Sequence, residues 1–168
     1  MKHLKIVLIA LFTFGAISFS QAQSKIAHID SNQLIEAMPE FQDARSQMTK
    51  LQNSYKSQIE DMHRELQEKS ERYEAEVSEQ TDEENERRMV DFQESQQRIY
   101  EFQQKAQEEL ETKQEELLSP LFDKAEKAIK KVAKTNGYDY VLDSTEGGNV
   151  LVADGHDMLP EVKAELGI

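Results

Sequence analysis

Residues 41–77 read FQDARSQMTKLQNSYKSQIEDMHRELQEKSERYEAEV, a run with neither glycine nor proline. Its apolar residues fall at Phe41, Ala44, Met48, Leu51, Tyr55, Ile59, Met62, Leu66, Tyr73 and Val77. Steps of three and four dominate, which marks one apolar stripe along a helix. From Leu51 through Tyr55 and Ile59 to Met62 the steps are four, four and three. That is part of an eleven-residue repeat rather than a heptad, so the local supercoil is expected to straighten or reverse.

The run belongs to a longer one. No glycine occurs between Gly15 and Gly137, and only Pro39 and Pro120 interrupt the interval. Glu, Gln, Lys, Arg, Ser, Leu and Met make up most of it, residues that favour or tolerate a helix. A second stripe follows at Met89, Phe92, Ile99, Phe102 or Gln103, Ala106, Leu110, Leu117, Leu121, Ala125, Ala128 or Ile129, and Val132. Pro120 lies inside it and is expected to kink the helix without ending the stripe. Between the stripes, residues 78–86 carry no large apolar side chain. Thr81 or Asp82 can cap a new helix there, with Glu84 spaced for a capping box. The expected form is therefore a helical hairpin over residues 40–136, with its tip near 78–86. Each leg would have about 45 residues and a length of about 65 Å. A single continuous rod is the other possibility, and the break in periodicity disfavours it.

Outside the hairpin lie short elements. Residues 25–30 read as a strand ending in a helix start, with Asp30, Ser31 or Asn32 as the cap. Leu34, Ile35 and Met38 would face inward, and Pro39 permits a bend into the first leg. Asn136-Gly137 stops the second leg. Residues 138–142 and 149–152 then read as strands joined by a turn through 143–148, before a tail helix from Pro160 or Glu161 to Leu166. The fold class is α+β: a small β-body from residues 23–39 and 137–168, carrying the long antiparallel hairpin. So small a sheet has too little area to stand alone, and oligomerisation is the usual remedy. Ile26, Ile29, Val141, Val150 and Val152 are the candidates for that contact.

The N-terminus predicts export. Met1-Lys2-His3-Leu4-Lys5 precedes an apolar run over 6–19 and then Ser20-Gln21-Ala22. This is the pattern of a signal peptide over residues 1–22, cleaved before Gln23 rather than kept as an anchor. Its removal takes two lysines and no acid, so the net charge moves from −13 to −15. Such an acidic chain is a poor fit for nucleic acid or for simple electrostatic docking on an anionic membrane. Cysteine is absent, so an exported chain of this kind takes its stability from packing or assembly rather than disulfides.

A search for chemistry returns no constellation. No Gly-rich loop with Lys-Ser/Thr supports a phosphate cradle or ATP use. His28, His63 and His156 form no His-x-x-x-His pair, and His156-Asp157 reads as a solvated turn rather than a metal contact. Asp82-Glu83-Glu84 lacks the spaced oxygens and glycine of a calcium loop. No Gly-x-Ser-x-Gly supports a nucleophile elbow. The expectation is a non-enzyme without cofactor or metal.

The stretches Lys25-Ile26-Ala27-His28-Ile29-Asp30-Ser31, Met38-Pro39-Glu40-Phe41, Asn136-Gly137-Tyr138-Asp139-Tyr140-Val141-Leu142-Asp143 and His156-Asp157-Met158 resemble the Skp/OmpH family of periplasmic chaperones. The resemblance spans nearly all of the exported chain, its long middle by pattern rather than by identities. It implies a homotrimer whose strands form a small body, with three hairpins hanging around a cavity. It also implies an ATP-independent holdase for unfolded outer-membrane proteins. One departure stands out: the best-known members have basic hairpins, whereas residues 60–88 here hold twelve acids against five bases. Lipopolysaccharide or anionic-membrane contact is therefore not carried over.

Met and aromatic side chains accept many shapes and suit a surface that takes varied clients. Most of those here fall on the stripes and are read as the hairpin's own seam. Tyr100, Phe102, Tyr73 and Met89 are the candidates for client contact. Tyr100 and Phe102 flank position 101, so at least one must leave the seam. The alternative to a holdase is a structural coiled-coil spacer or scaffold of the cell envelope.

Overall fold

The computed structural model describes residues 24–168; the signal-peptide expectation, residues 1–22 with cleavage before Gln23, lies outside them. Strand β1 (Ile26–Ile29) is followed by α1 (Ser31–Ala37), α2 (Pro39–Glu76) and a single 3-10 turn at Val77–Glu79. Then come α3 (Asp82–Asn136), β2 (Tyr140–Asp143), β3 (His156–Asp157) and α4 (Leu159–Leu166). The protein is thus mostly helical, with one small sheet.

The sequence signals act where their chemistry places them. The Asp30 carboxylate accepts from the Gln33 N–H at 2.9 Å and caps α1. Met38 is extended, and Pro39 opens α2 in the first-turn position that suits its fixed φ. Thr81 caps α3 by accepting from the Glu84 N–H at 3.2 Å. The Glu84 side chain turns to Arg87 and Arg88. Gly137, at φ 69°, ends α3 in the left-handed conformation, and the Tyr138 N–H then reaches the Ala133 carbonyl at 2.9 Å. A side chain at Gly137 would resist that backbone.

The two long helices lie antiparallel. Glu40 meets Lys124, Tyr55 meets Glu109, Lys69 meets Asp91 and Glu76 meets Arg88, so α3 is read backwards as α2 advances. The chain breaks between Glu76 and Asp82, at the early edge of the expected tip. The legs are unequal, at 38 and 55 residues, or about 57 and 82 Å. The extra length of α3 lies at its C-terminal end, where Leu121, Ala125, Ala128 and Val132 join the core. The body therefore includes these last turns of α3 as well as the flanking segments. Helix α3 continues through Pro120, with Leu117 half-buried before it and Leu121 buried after it.

The sheet has the order β2-β1-β3, with both outer strands parallel to β1. Parallel pairing needs a long crossover, and the helical legs form the one between β1 and β2. Ile26 lies beside Tyr140, Ala27 beside Val141 and His28 beside Leu142. The expected strand at residues 149–152 is corrected. The third strand is His156–Asp157, which also replaces the solvated turn expected there. Within one chain β1 has just two edges; β2 takes one and β3 the other. The Val-Leu-Val run is left without a ladder, and Leu151 is 95% exposed. Residues 138 and 139 are likewise not strand, because the Tyr138 N–H completes the helix cap and the Asp139 N–H bonds to the Lys25 carbonyl at 2.8 Å.

The core packs Ala27 and Ile29 of β1 against Leu34 and Met38, the last turns of α3, and Met158 and Val162. Leu34, Met38, Met158 and Val162 are fully enclosed. Asp143 ties the C-terminal end of β2 to the start of α1. Its carboxylate accepts from Ser31 Oγ at 2.5 Å, Thr145 Oγ1 at 2.6 Å and the Thr145 N–H at 3.0 Å. Burial opposes the charge, but the hydrogen bonds outweigh it and hold the carboxyl below its usual range.

Candidate functional site

Two surfaces remain once the core is assigned: the outer face of the sheet and the long helices with their tip. On the sheet, alternation separates the residues expected to join subunits. Ile29 is 2% exposed and Val141 packs against the core, so both face the interior of the chain, a correction to their placement at an interface. Ile26 does face outward. Val150 is half-buried and Val152 exposed, both in the segment that is not a strand. Tyr140, at 60%, and Leu142, at 44%, stand on the Ile26 face and were not singled out from the sequence. Period-two alternation through Tyr140, Val141 and Leu142 was the available signal. The outer face of β1 and β2 thus leaves Ile26, Tyr140 and Leu142 uncovered, with His28 beside Leu142.

In the legs, the expected stripe is the contact surface over most of its length. Ala44 is buried and Met48, Leu51, Tyr55, Ile59, Met62 and Leu66 are half-buried; Ser95, Ile99 and Ala106 are buried opposite them. Val77 is exposed at the helix break, and Met89 is 63% exposed, so both leave the seam. Small and polar residues at the seam are supplemented by polar ties. Lys69 meets Asp91 at 2.9 Å and Ser95 Oγ at 2.8 Å, while the Tyr73 hydroxyl donates to Asp91 at 2.7 Å. Lys69 and then Tyr73 hold the Asp91 carboxyl below its usual range. Tyr55 donates to Glu109, which lowers the carboxyl and raises the phenol.

The four residues proposed for client contact occupy different places. Phe102 stays in the seam, edge-on to Tyr55 with ring centres 6.0 Å apart. Tyr100 faces solvent on α3, its hydroxyl accepting from Gln104 at 2.8 Å. Tyr73 and Met89 come together at the tip, in a groove of about 460 Å³ that Val77, Phe92 and Arg88 also line. Arg88 lies 4.9 Å from the centre of the Tyr73 ring and pairs with Glu76 at 2.7 Å and Glu84 at 3.5 Å. His156, weighed as a metal contact, stacks on Tyr138 and meets Glu161 at 2.7 Å. Among the described residues no group of three or more His, Asp or Glu could hold a metal ion, and no helix is long and apolar enough to cross a membrane.

A three-stranded parallel sheet that carries two long antiparallel helices defines an α+β class with little core and much surface. The chain belongs to the OmpH-like outer membrane protein family, whose model matches residues 25–166. A crystal structure from Caulobacter crescentus CB15, described as an OmpH-like candidate outer membrane chaperone, is similar in fold, with a TM-score of 0.74. The identity is 15%, over 88% of this chain and 87% of that one. No curated protein matches the chain.

Proposed function

We propose that this protein is an ATP-independent holdase of the periplasm, which binds unfolded outer-membrane proteins as a homotrimer and prevents their aggregation. The observation that carries the reading is the family match across nearly all described residues. The shape supports it. Two long polar helices with a thin seam project from a small body, a poor plan for catalysis and a good one for surrounding another chain. The uncovered Ile26, Tyr140 and Leu142 face supports assembly through the sheet. In the mechanism, an unfolded barrel precursor enters between helical hairpins and makes many weak contacts, which keeps its exposed strands from pairing with one another. Release needs no nucleotide, only transfer to a tighter-binding assembly or folding into the membrane.

The test mixes the purified exported form with a denatured outer-membrane barrel diluted out of urea, without ATP. Light scattering should stay low and the two proteins should co-migrate on a sizing column. Unchanged aggregation, with the barrel eluting alone, would defeat the reading and favour the spacer.

A further inference from the structure

Resting on the chaperone reading, we propose that the tip of the long helices is a docking site for basic, apolar segments of the unfolded chain. The groove of about 460 Å³ is bounded by Tyr73, Val77, Met89 and Phe92, with Val77 and Met89 more than half exposed. It opens at a helix break, where the branched Val77 and the thioether Met89 stand out of the seam, 54% and 63% exposed. Such a surface adapts to differing apolar side chains.

The rim selects the occupant. Glu74 lines the groove itself, and a neighbouring depression that shares Tyr73 and Arg88 is lined by Glu83, Glu86 and Glu94. Two of the local cations are matched, Arg88 by Glu76 and Glu84 and Arg87 by Glu84 at 3.2 Å, while Arg72 lies 5.5 Å from the centre of the Tyr73 ring without an ion-pair partner among the described residues. Glu74, Glu83 and Glu86 have no ion-pair partner among the described residues. Asp82, Glu83 and Glu84 also occupy the first turn of α3, where they cancel the positive end of its dipole. An anionic partner thus finds one unpaired cation at the tip, Arg72, outnumbered by the unpaired carboxylates of Glu74, Glu83 and Glu86. A segment with an apolar side chain between lysines or arginines satisfies both the groove and its rim.

The probe is a fluorescent amphipathic peptide of Lys, Leu and Phe, titrated with the full exported protein at low and high salt. An otherwise identical peptide with Glu for Lys serves as comparison. Binding of the basic peptide should weaken at least about tenfold in Val77→Ser/Met89→Ser, and about as much in Glu83→Lys/Glu86→Lys. Circular dichroism should show the helices of both variants intact, since all four positions are surface-exposed. Equal binding by either variant, or by the acidic peptide, would overturn the proposal. So would co-sedimentation of the protein alone, without peptide, on vesicles of anionic phospholipid, which would identify a membrane-binding tip. The barrel-aggregation assay on the same samples separates the two readings. Wild type that protects the barrel, with variants that bind peptide undiminished, refutes the tip site alone. Wild type that fails to protect refutes the holdase, while the peptide titration still decides the tip.

Discussion

Val141 and Leu142 are neighbours in β2 that face opposite ways, and aspartate should have a different consequence at each. At Val141 the carboxylate would lie against the core that Ala27 and Ile29 build. An uncompensated polar group there costs several kcal/mol, a large share of the ~5–15 kcal/mol that holds a typical domain together. At Leu142 the side chain is 44% exposed, so the isolated subunit should lose only about 1–1.5 kcal/mol, the part of the burial made within the chain. A further cost at Leu142 appears only if the outer face is covered by a partner. Complete burial of a large apolar side chain stabilises by ~1.5–3 kcal/mol, so covering what remains exposed of Leu142 contributes about 1 kcal/mol per subunit. Aspartate forfeits that and adds a desolvation cost of about 2 kcal/mol or more, a combined change of over a hundredfold in association. Analytical ultracentrifugation should therefore find Leu142→Asp helical but dissociated. Val141→Asp should unfold at markedly lower temperature by circular dichroism. A Leu142→Asp protein that sediments as the wild-type assembly would refute the outer sheet face as the joining surface, and an unchanged melting point for Val141→Asp would refute its inward packing.

Leu34 is fully enclosed beside Met38 and Val162, so Leu34→Ala should cost about 2–5 kcal/mol and lower the thermal midpoint, whereas Gln33→Ala, exposed on the same helix, should barely move it. Acid should loosen the legs. Glu40, Asp91 and Glu109 have carboxyls lowered mainly by hydrogen bonds from Lys124, Lys69 and Tyr55 respectively. A lowered folded-state value means that the stabilisation is complete above the unfolded carboxylate range and is lost as pH falls through the folded one. Melting points should accordingly drop below about pH 4, and a steady rise down to about pH 3 would show that relief of acid–acid repulsion wins. Excising residues 66–99 for a short loop removes facing stretches of both helices, since Leu66 and Ile99 border one pocket. Assembly should persist, because the core and outer sheet face lie elsewhere, while protection of an unfolded barrel should fall sharply. Undiminished protection by the shortened protein would place client binding on the body.

The helical part of this fold was legible because a helix records its contacts in its own periodicity. The stripes from Phe41 to Leu66 and from Phe92 to Val132 follow from i, i+3, i+4 spacing, and Asp30, Pro39, Thr81 and Gly137 act locally. The sheet was less legible because strand pairing is decided by what lies alongside. Val150, Leu151 and Val152 have strand chemistry but no free edge of β1 to join. His156 and Asp157 have weak strand character and take that edge, since α4 docks on the core and carries them past it. Inward and outward positions in β2 followed from alternation, yet they needed a register that the sequence does not state. The groove at the tip was out of reach for a different reason: Val77 and Met89 continue the stripes on paper, and leave the seam where the chain breaks between Glu76 and Asp82.

The distribution of burial separates two parts with different resistance to opening. In the body, aliphatic residues of the sheet, α1, α4 and the α3 end enclose one another, and Leu34, Met38, Met158 and Val162 are sealed from solvent. Along the legs, Ala44 is buried on one helix and Ser95, Ile99 and Ala106 on the other, with half-buried residues between them. Alanine and serine bring little apolar area out of water, and partly exposed ion pairs such as Lys69–Asp91 contribute up to about 1 kcal/mol each. Segments with few sealed contacts open at lower free energy than the global fold. The legs can therefore separate or bend locally while the body, and any assembly built on its sheet face, stays in place. A wall that yields in this way is what enclosure of clients of differing size requires, whereas a spacer that must hold a fixed distance would need a seam filled with large apolar residues along its length.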